Sequence, residues 1–147
     1  KKHGIYERID PRLLPKLYIA YKTELGKVSG TVLNDIRSRF HKGEAKVINT
    51  LNDIAGLAEL GKTAILNKDK KTLHELINKN FDLRSSIMNI SDSNWELVNT
   101  ARECGASAKF TGSGGSIIGT YADDEMLKRL VIKMKRINAR VIKPIIL

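Results

Sequence analysis

The segment Lys109-Phe110-Thr111-Gly112-Ser113-Gly114-Gly115-Ser116-Ile117-Ile118-Gly119 gathers more groups able to handle negative charge than any other part of this sequence. Gly112, Gly114 and Gly115 bring no Cβ, so the chain can take positive φ and a ligand can approach the main chain. Successive N–H groups in such a loop can converge on one anion, and Thr111 and Ser113 add hydroxyl donors. The pattern is not a Walker A loop, which needs Lys-Ser/Thr after its last glycine, nor a dinucleotide fingerprint, because Ile117 stands where the third glycine belongs. A glycine-rich hairpin is also, quite often, only a turn, so the other polar groups of the chain bear on the choice.

Asn80 and Arg84 lie on a helical stripe otherwise made of Leu73, Leu76, Ile77, Leu83 and Ile87. An amide and a guanidinium on an apolar face must find partners, or burial costs several kcal/mol, as an order of magnitude. One reading is a structural hydrogen bond to a neighbouring helix or to the glycine hairpin. The other has both side chains looking into a cleft, where Arg84 would match two oxygens of a carboxylate or phosphate. Asp82 points elsewhere on the wheel and is expected in solvent. Lys27 and Ser29 sit in a polar loop and could meet an anion, or serve as a solvated lysine and a helix cap. His3, His41 and His74 are too far apart for a local metal motif. Cys104 stands alone at a helix end, which suits packing and a reducing compartment such as the cytoplasm.

These groups must be positioned by a mixed architecture. Leu17 to Tyr21 reads as a buried strand. A helix follows after Ser29 or Thr31 as cap, with Val32, Leu33, Ile36 and Phe40 on one face and Gly43 at its end. A second helix spans about 44–66 with Val47, Leu51, Ile54, Ala58 and Ile65 inward, and a third runs from Lys71 to Met88. Ser93-Asn94-Trp95-Glu96 has the capping-box pattern for a fourth, ending at Gly105. Ala106–Phe110 and Ser116–Tyr121 read as strands on either side of the glycines. Asp123-Asp124 opens a last helix with acid at its positive end, and Val141–Leu147 is an edge strand interrupted by Pro144. The fold class is therefore α+β: a ferredoxin-like split β-α-β sheet of about four antiparallel strands with extra helices in the first crossover. Residues 1–147 form one domain.

The composition agrees with a folded chain that meets anions. Of 147 residues, 41% are hydrophobic and 29% charged, and the formal net charge is +10. That surplus attracts nucleic acid, acidic lipid or phosphorylated metabolites alike. Aromatic residues are only 5% and do not alternate with basic ones, which argues against a base-stacking surface. No apolar run approaches the roughly 20 residues needed to span a membrane.

Phe110-Thr111-Gly112-Ser113-Gly114-Gly115-Ser116-Ile117-Ile118 resembles the third conserved motif of the GHMP kinases, most nearly in the wording of the glucuronokinase subgroup. Leu14 to Tyr21, Gly26 to Ser29, Leu66 to Asp69 and Asn80 to Arg84 resemble the same family, in order and at compatible spacing. The resemblance implies the C-terminal half of an ATP- and Mg²⁺-dependent kinase that phosphorylates a hydroxyl of a sugar or uronic acid. It implies that Gly112, Ser113, Gly114 and Gly115 are proximal to the phosphates, and that Asn80, Arg84, Lys27, Ser29 and Thr111 belong to the substrate side. The family's Pro-x-x-x-Gly-Leu-Gly-Ser-Ser loop has no counterpart here, so catalytic and metal-binding residues are expected in an N-terminal kinase domain outside these residues, and no catalysis from this chain alone. A kinase of another sugar or sugar phosphate, such as heptose 7-phosphate, is the nearest alternative. A stand-alone basic ferredoxin-like module binding a ligand or nucleic acid is the alternative of another class.

Overall fold

The computed structural model describes residues 3–23 and 30–147, without the side chains of residues 30–32. A short 3₁₀ turn at Pro11–Leu13 precedes β1 (Leu17–Lys22). Four helices follow: α1 (Gly30–His41), α2 (Ala45–Leu66), α3 (Lys70–Ser85) and α4 (Asp92–Glu103). Then come β2 (Lys109–Phe110), β3 (Ser116–Thr120), α5 (Asp124–Arg136) and β4 (Ala139–Ile142). The strands form one four-stranded sheet in the order β2-β3-β1-β4, with every neighbouring pair antiparallel. This is the expected split arrangement: β3 inserts between β1 and β2, and β1 inserts between β3 and β4. Helices α1 to α4 all lie in the first crossover.

Strand alternation sets the two faces of the sheet. Tyr18, Ala20, Phe110, Ile117 and Ala139 are buried on one face, where α3, α4 and α5 supply Phe81, Leu97, Val98, Leu130 and Met134. Leu17, Ile19, Tyr21 and Ile118 are half-buried on the other, beside the exposed Ile142. Helix α2 packs on α3 and forms an outer layer with α1. Leu33 and Phe40 of α1 stay exposed, so that helix buries little of its apolar face.

Several boundaries differ from the sequence reading, each for a local reason. The third helix stops at Ser85 rather than Met88, because the hydroxyls of Ser85 and Ser86 donate to the carbonyls of Asp82 and Leu83 and compete with the helical ladder. The fourth is capped by Ser91, whose Oγ accepts from the Asn94 N–H at 3.2 Å, and not by Ser93. The α2 seam facing the interior buries Val47, Thr50, Leu57 and Ala64, with Ile54 and Gly61 half-buried between them, and leaves Ala58 exposed. That alternating three- and four-residue spacing is what an antiparallel helix partner selects. The last strand begins at Ala139, immediately after Asn138 takes a left-handed φ of 58°, and ends before Pro144, which has no N–H for the ladder. Gly43 closes α1 with φ 75°, as expected.

Candidate functional site

The glycine loop leaves β2 at Phe110 and re-enters the sheet at Ser116. Its mouth is closed by the Thr111 N–H donating to the Ser116 carbonyl at 3.2 Å and by a short hydroxyl contact between Thr111 and Ser116. Gly114 and Gly115 adopt φ of 142° and 81°, conformations that side chains rarely take. The N–H groups of Gly112, Ser113 and Gly114 donate to no described residue, and nothing lies within 4 Å of where a Cβ on Gly112 would stand. This is the backbone arrangement that can receive an anion.

Gly115 departs from the expectation that all four loop amides face a ligand. Its N–H donates to Asn94 Oδ1 at 3.0 Å, so that amide is spent on anchoring the loop to α4. The anchoring turn of α4 does more. Ser93 Oγ accepts from Lys22 Nζ at 2.9 Å, and Glu96 lies 3.4 Å from the same ammonium. The Lys22 N–H in turn donates to the Gly115 carbonyl at 3.3 Å. The end of β1, the first turn of α4 and the loop are thus tied together. Reading Ser93 to Glu96 as a capping box hid this, since the residues involved are those of a helix start and their distant partner is not visible in sequence spacing.

The two polar residues of the α3 stripe lie beside β2, from which this loop departs. Arg84 places its guanidinium carbon 5.6 Å from the centroid of the Phe110 ring, on the residue where the loop begins. Burial lowers its pKa from the usual arginine value. Asn80 carries a buried Oδ1 without a hydrogen-bond partner and lines a cleft of about 450 Å³ between α2 and α3. Lys109 lines the same cleft and was not singled out by the sequence reading. Its ammonium donates to the Phe110 carbonyl at 2.9 Å, and burial, with Arg84 second, pushes its pKa down. Lys27 and Ser29 lie outside the described residues.

Other expectations resolve simply. Asp82 is not merely solvated: it pairs with Arg102 at 2.8 Å, while that guanidinium also sits 5.2 Å from the Phe81 ring centroid. Cys104 is buried, and burial pushes its thiol pKa up, away from a reactive thiolate. Among the described residues no group of three or more His, Cys, Asp or Glu side chains gathers as a metal site. Tyr18, Phe81, Phe110 and Tyr121 are core residues, and among the described residues the exposed aromatics Tyr6 and Phe40 are far apart in sequence and on different elements, not a row on which bases could stack. The nucleic-acid module is therefore not favoured.

The family model for the GHMP kinases C terminal matches residues 62–137, more than half of the chain and all of the loop. The chain belongs to the GHMP kinase C-terminal family. Probable glucuronokinase 2 of Arabidopsis thaliana is 38% identical over 146 residues, covering 97% of this chain and 40% of the relative. Glucuronokinase 1 of the same plant is 42% identical over 119 residues, covering 79% of this chain and 33% of the relative. The chain thus spans less than half the length of the relatives it matches. Among solved structures, L. major mevalonate kinase in complex with R-mevalonate superposes with a TM-score of 0.73 at 21% identity, over 82% of this chain and 38% of that one. The Lin0012 protein from Listeria innocua gives 0.79 at 18% identity, over 88% and 38%. At those identities the structural likeness establishes the fold alone.

Proposed function

We propose that residues 1–147 are the C-terminal half of an ATP-dependent kinase that phosphorylates a hydroxyl of a uronic acid, as the glucuronokinase relatives are named to do. The observation that supports it most directly is the row of three successive unpartnered N–H groups at Gly112, Ser113 and Gly114, inside the segment matched by the family model. Phosphoryl transfer needs little covalent help from a protein; it needs positioning and neutralisation of spreading negative charge. A Cβ-free run of amide donors fits a nucleotide phosphate in that role. Gly112, Ser113 and Gly114 would contribute hydrogen bonds to it, and Gly115 would hold the loop in shape through Asn94. ATP, when bound, supplies the phosphoryl group. Thr111, Asn80 and Arg84 would border the acceptor. An N-terminal kinase domain would supply the opposite wall, the remaining phosphate contacts, the base and the Mg²⁺ ligands.

No helix of the described residues is long and apolar enough to cross a membrane. The lone buried thiol of Cys104 suits a reducing compartment such as the cytoplasm. The kinase reading is tested on the full-length protein with ATP and a panel of glucuronate, galacturonate and neutral hexoses. Glucuronate is expected to be the best acceptor. Gly114→Val, which places a branched side chain at φ 142° in the phosphate-proximal loop, is expected to lower kcat/KM for ATP by about 100-fold. ATP turnover by residues 1–147 alone would overturn the division of labour proposed here.

A further inference from the structure

Two half-buried cations flank Phe110 without a counter-ion among the described residues. Arg84 lies over its ring and Lys109 turns onto its carbonyl oxygen. Neither is within ion-pair distance of a carboxylate of any described residue. The protein treats its other sheltered cations differently: Lys22 has Glu96, Arg39 has Glu44 and Asp35, and Arg102 has Asp82. Bringing two like charges together out of water is unfavourable unless an anion joins them. The aromatic face under Arg84 offsets part of that cost. It does nothing for the mutual repulsion.

A second unsatisfied group lies beside them. Asn80 is one turn before Arg84 on α3, and its buried Oδ1 accepts no hydrogen bond. It shares the wall of the α2–α3 cleft with Lys109, where the other lining residues include Ile54, Leu57, Leu76 and Ile77. The cations call for an anion and the amide oxygen calls for a donor. A polyhydroxylated carboxylic acid carries both in one small molecule, with an apolar C–H face to set against the aliphatic wall.

We propose that Arg84 and Lys109 together grip the carboxylate of a sugar-acid acceptor, and that Asn80 accepts a hydrogen bond from one of its hydroxyls. The proposal rests on the kinase reading and deepens it by assigning acceptor specificity to Lys109 as well as Arg84. Lys109 and Gly112 are three residues apart, at most roughly 10 Å of extended chain. The carboxylate grip and the phosphate-proximal amides are therefore ends of one short segment. In a hexuronate ring the carboxylate and the anomeric hydroxyl stand on the two carbons that flank the ring oxygen, close enough for one short segment to reach both.

The test compares glucuronate with glucose, which has a hydroxymethyl group in place of the carboxylate, as acceptors for the full-length protein. Wild type is measured beside Arg84→Met, Lys109→Met and the charge-retaining Arg84→Lys. Each Met variant is expected to lower kcat/KM for glucuronate by about 10- to 100-fold, the loss of a charge-assisted hydrogen bond. The loss should appear chiefly in KM, with kcat/KM for glucose and KM for ATP within about twofold of wild type, and Arg84→Lys should restore part of it. Lys109→Met, on the edge strand, carries the test if Arg84→Met does not fold. Glucuronate-to-glucose preference unchanged in a folded Lys109→Met variant would overturn the inference. So would a rise in KM for ATP instead, which would give these cations to a nucleotide phosphate. A wild-type enzyme that phosphorylates a sugar phosphate and no sugar acid would overturn it as well. A wild-type protein that phosphorylates no sugar at all would overturn the kinase reading beneath it.

Discussion

Asn94 couples a helix cap to the glycine loop through a single residue. Its N–H is held by Ser91 Oγ, which starts α4, while its Oδ1 receives the Gly115 N–H across 21 residues of sequence. Because Gly115 sits at φ 81° and Gly114 at 142°, the loop depends on such external fixing to hold one shape. Removing the acceptor in Asn94→Ala leaves that amide to water and is expected to cost about 1 kcal/mol, a fall of roughly 2–4 °C in Tm. Asn94→Asp keeps an acceptor and should recover the lost stability. It also brings a negative charge to the loop, so under the proposed kinase function the KM for ATP of the full-length protein should rise even though its Tm does not fall. Thermal melts and ATP kinetics on the two variants separate the roles. An alanine variant with wild-type Tm would mean that the bond contributes nothing to holding the loop.

Among the elements, the sheet was readable because its strands are short apolar runs and because glycine and proline punctuate them. The β1 and β3 cores, the acidic start of α5 and the Gly43 stop needed no tertiary information. The α2 seam was not readable: Leu51, Ala58 and Ile65 make as good a stripe as Thr50, Leu57 and Ala64 until the partner helix is known. The candidate site was legible in its glycines and in Asn80 and Arg84, but Lys109 and Asn94 matter only through neighbours distant in sequence. Gly119 shows the reverse error of emphasis. In sequence it is the tail of the glycine motif, whereas in the sheet it is a packing residue, since a Cβ there would stand 1.7 Å from the Ser107 carbonyl oxygen. That oxygen is already fixed by the Tyr18 hydroxyl at 2.6 Å, and the Ser107 N–H by the Thr120 carbonyl at 3.1 Å. Gly119→Ala must therefore displace backbone, at a cost of about 3 kcal/mol, or roughly 6–12 °C in Tm. Gly112→Ala, with open space at its Cβ, should stay within about 0.5 kcal/mol of wild type. Equal melting of the two would contradict this assignment of roles within one motif.

For the whole molecule, the question is what holds the helical layers on the sheet beneath the loop. Phe81 of α3 meets Trp95 of α4 and Phe110 of β2 edge-on, each at a centroid distance of 5.2 Å. The ring is fully buried, and Arg102 closes its outer side. One aromatic column thus joins helix, helix and sheet directly under the residue from which the glycine loop departs. Helix α2 follows from it in turn, because its packing is chiefly on α3. Cutting the column with Phe81→Ala removes the transfer free energy of a buried ring and leaves a cavity among three elements, about 4 kcal/mol in all. For a domain of this size that is a large fraction of the total stability. The expected result is a loss of roughly 8–16 °C in Tm, with the denaturant midpoint falling accordingly. Leu60→Ala on the exposed side of α2 serves as the reference and should shift the midpoint little. If the two variants unfold together near wild type, the column is ornamental and the α2–α3 pair must be held to the sheet by its other contacts.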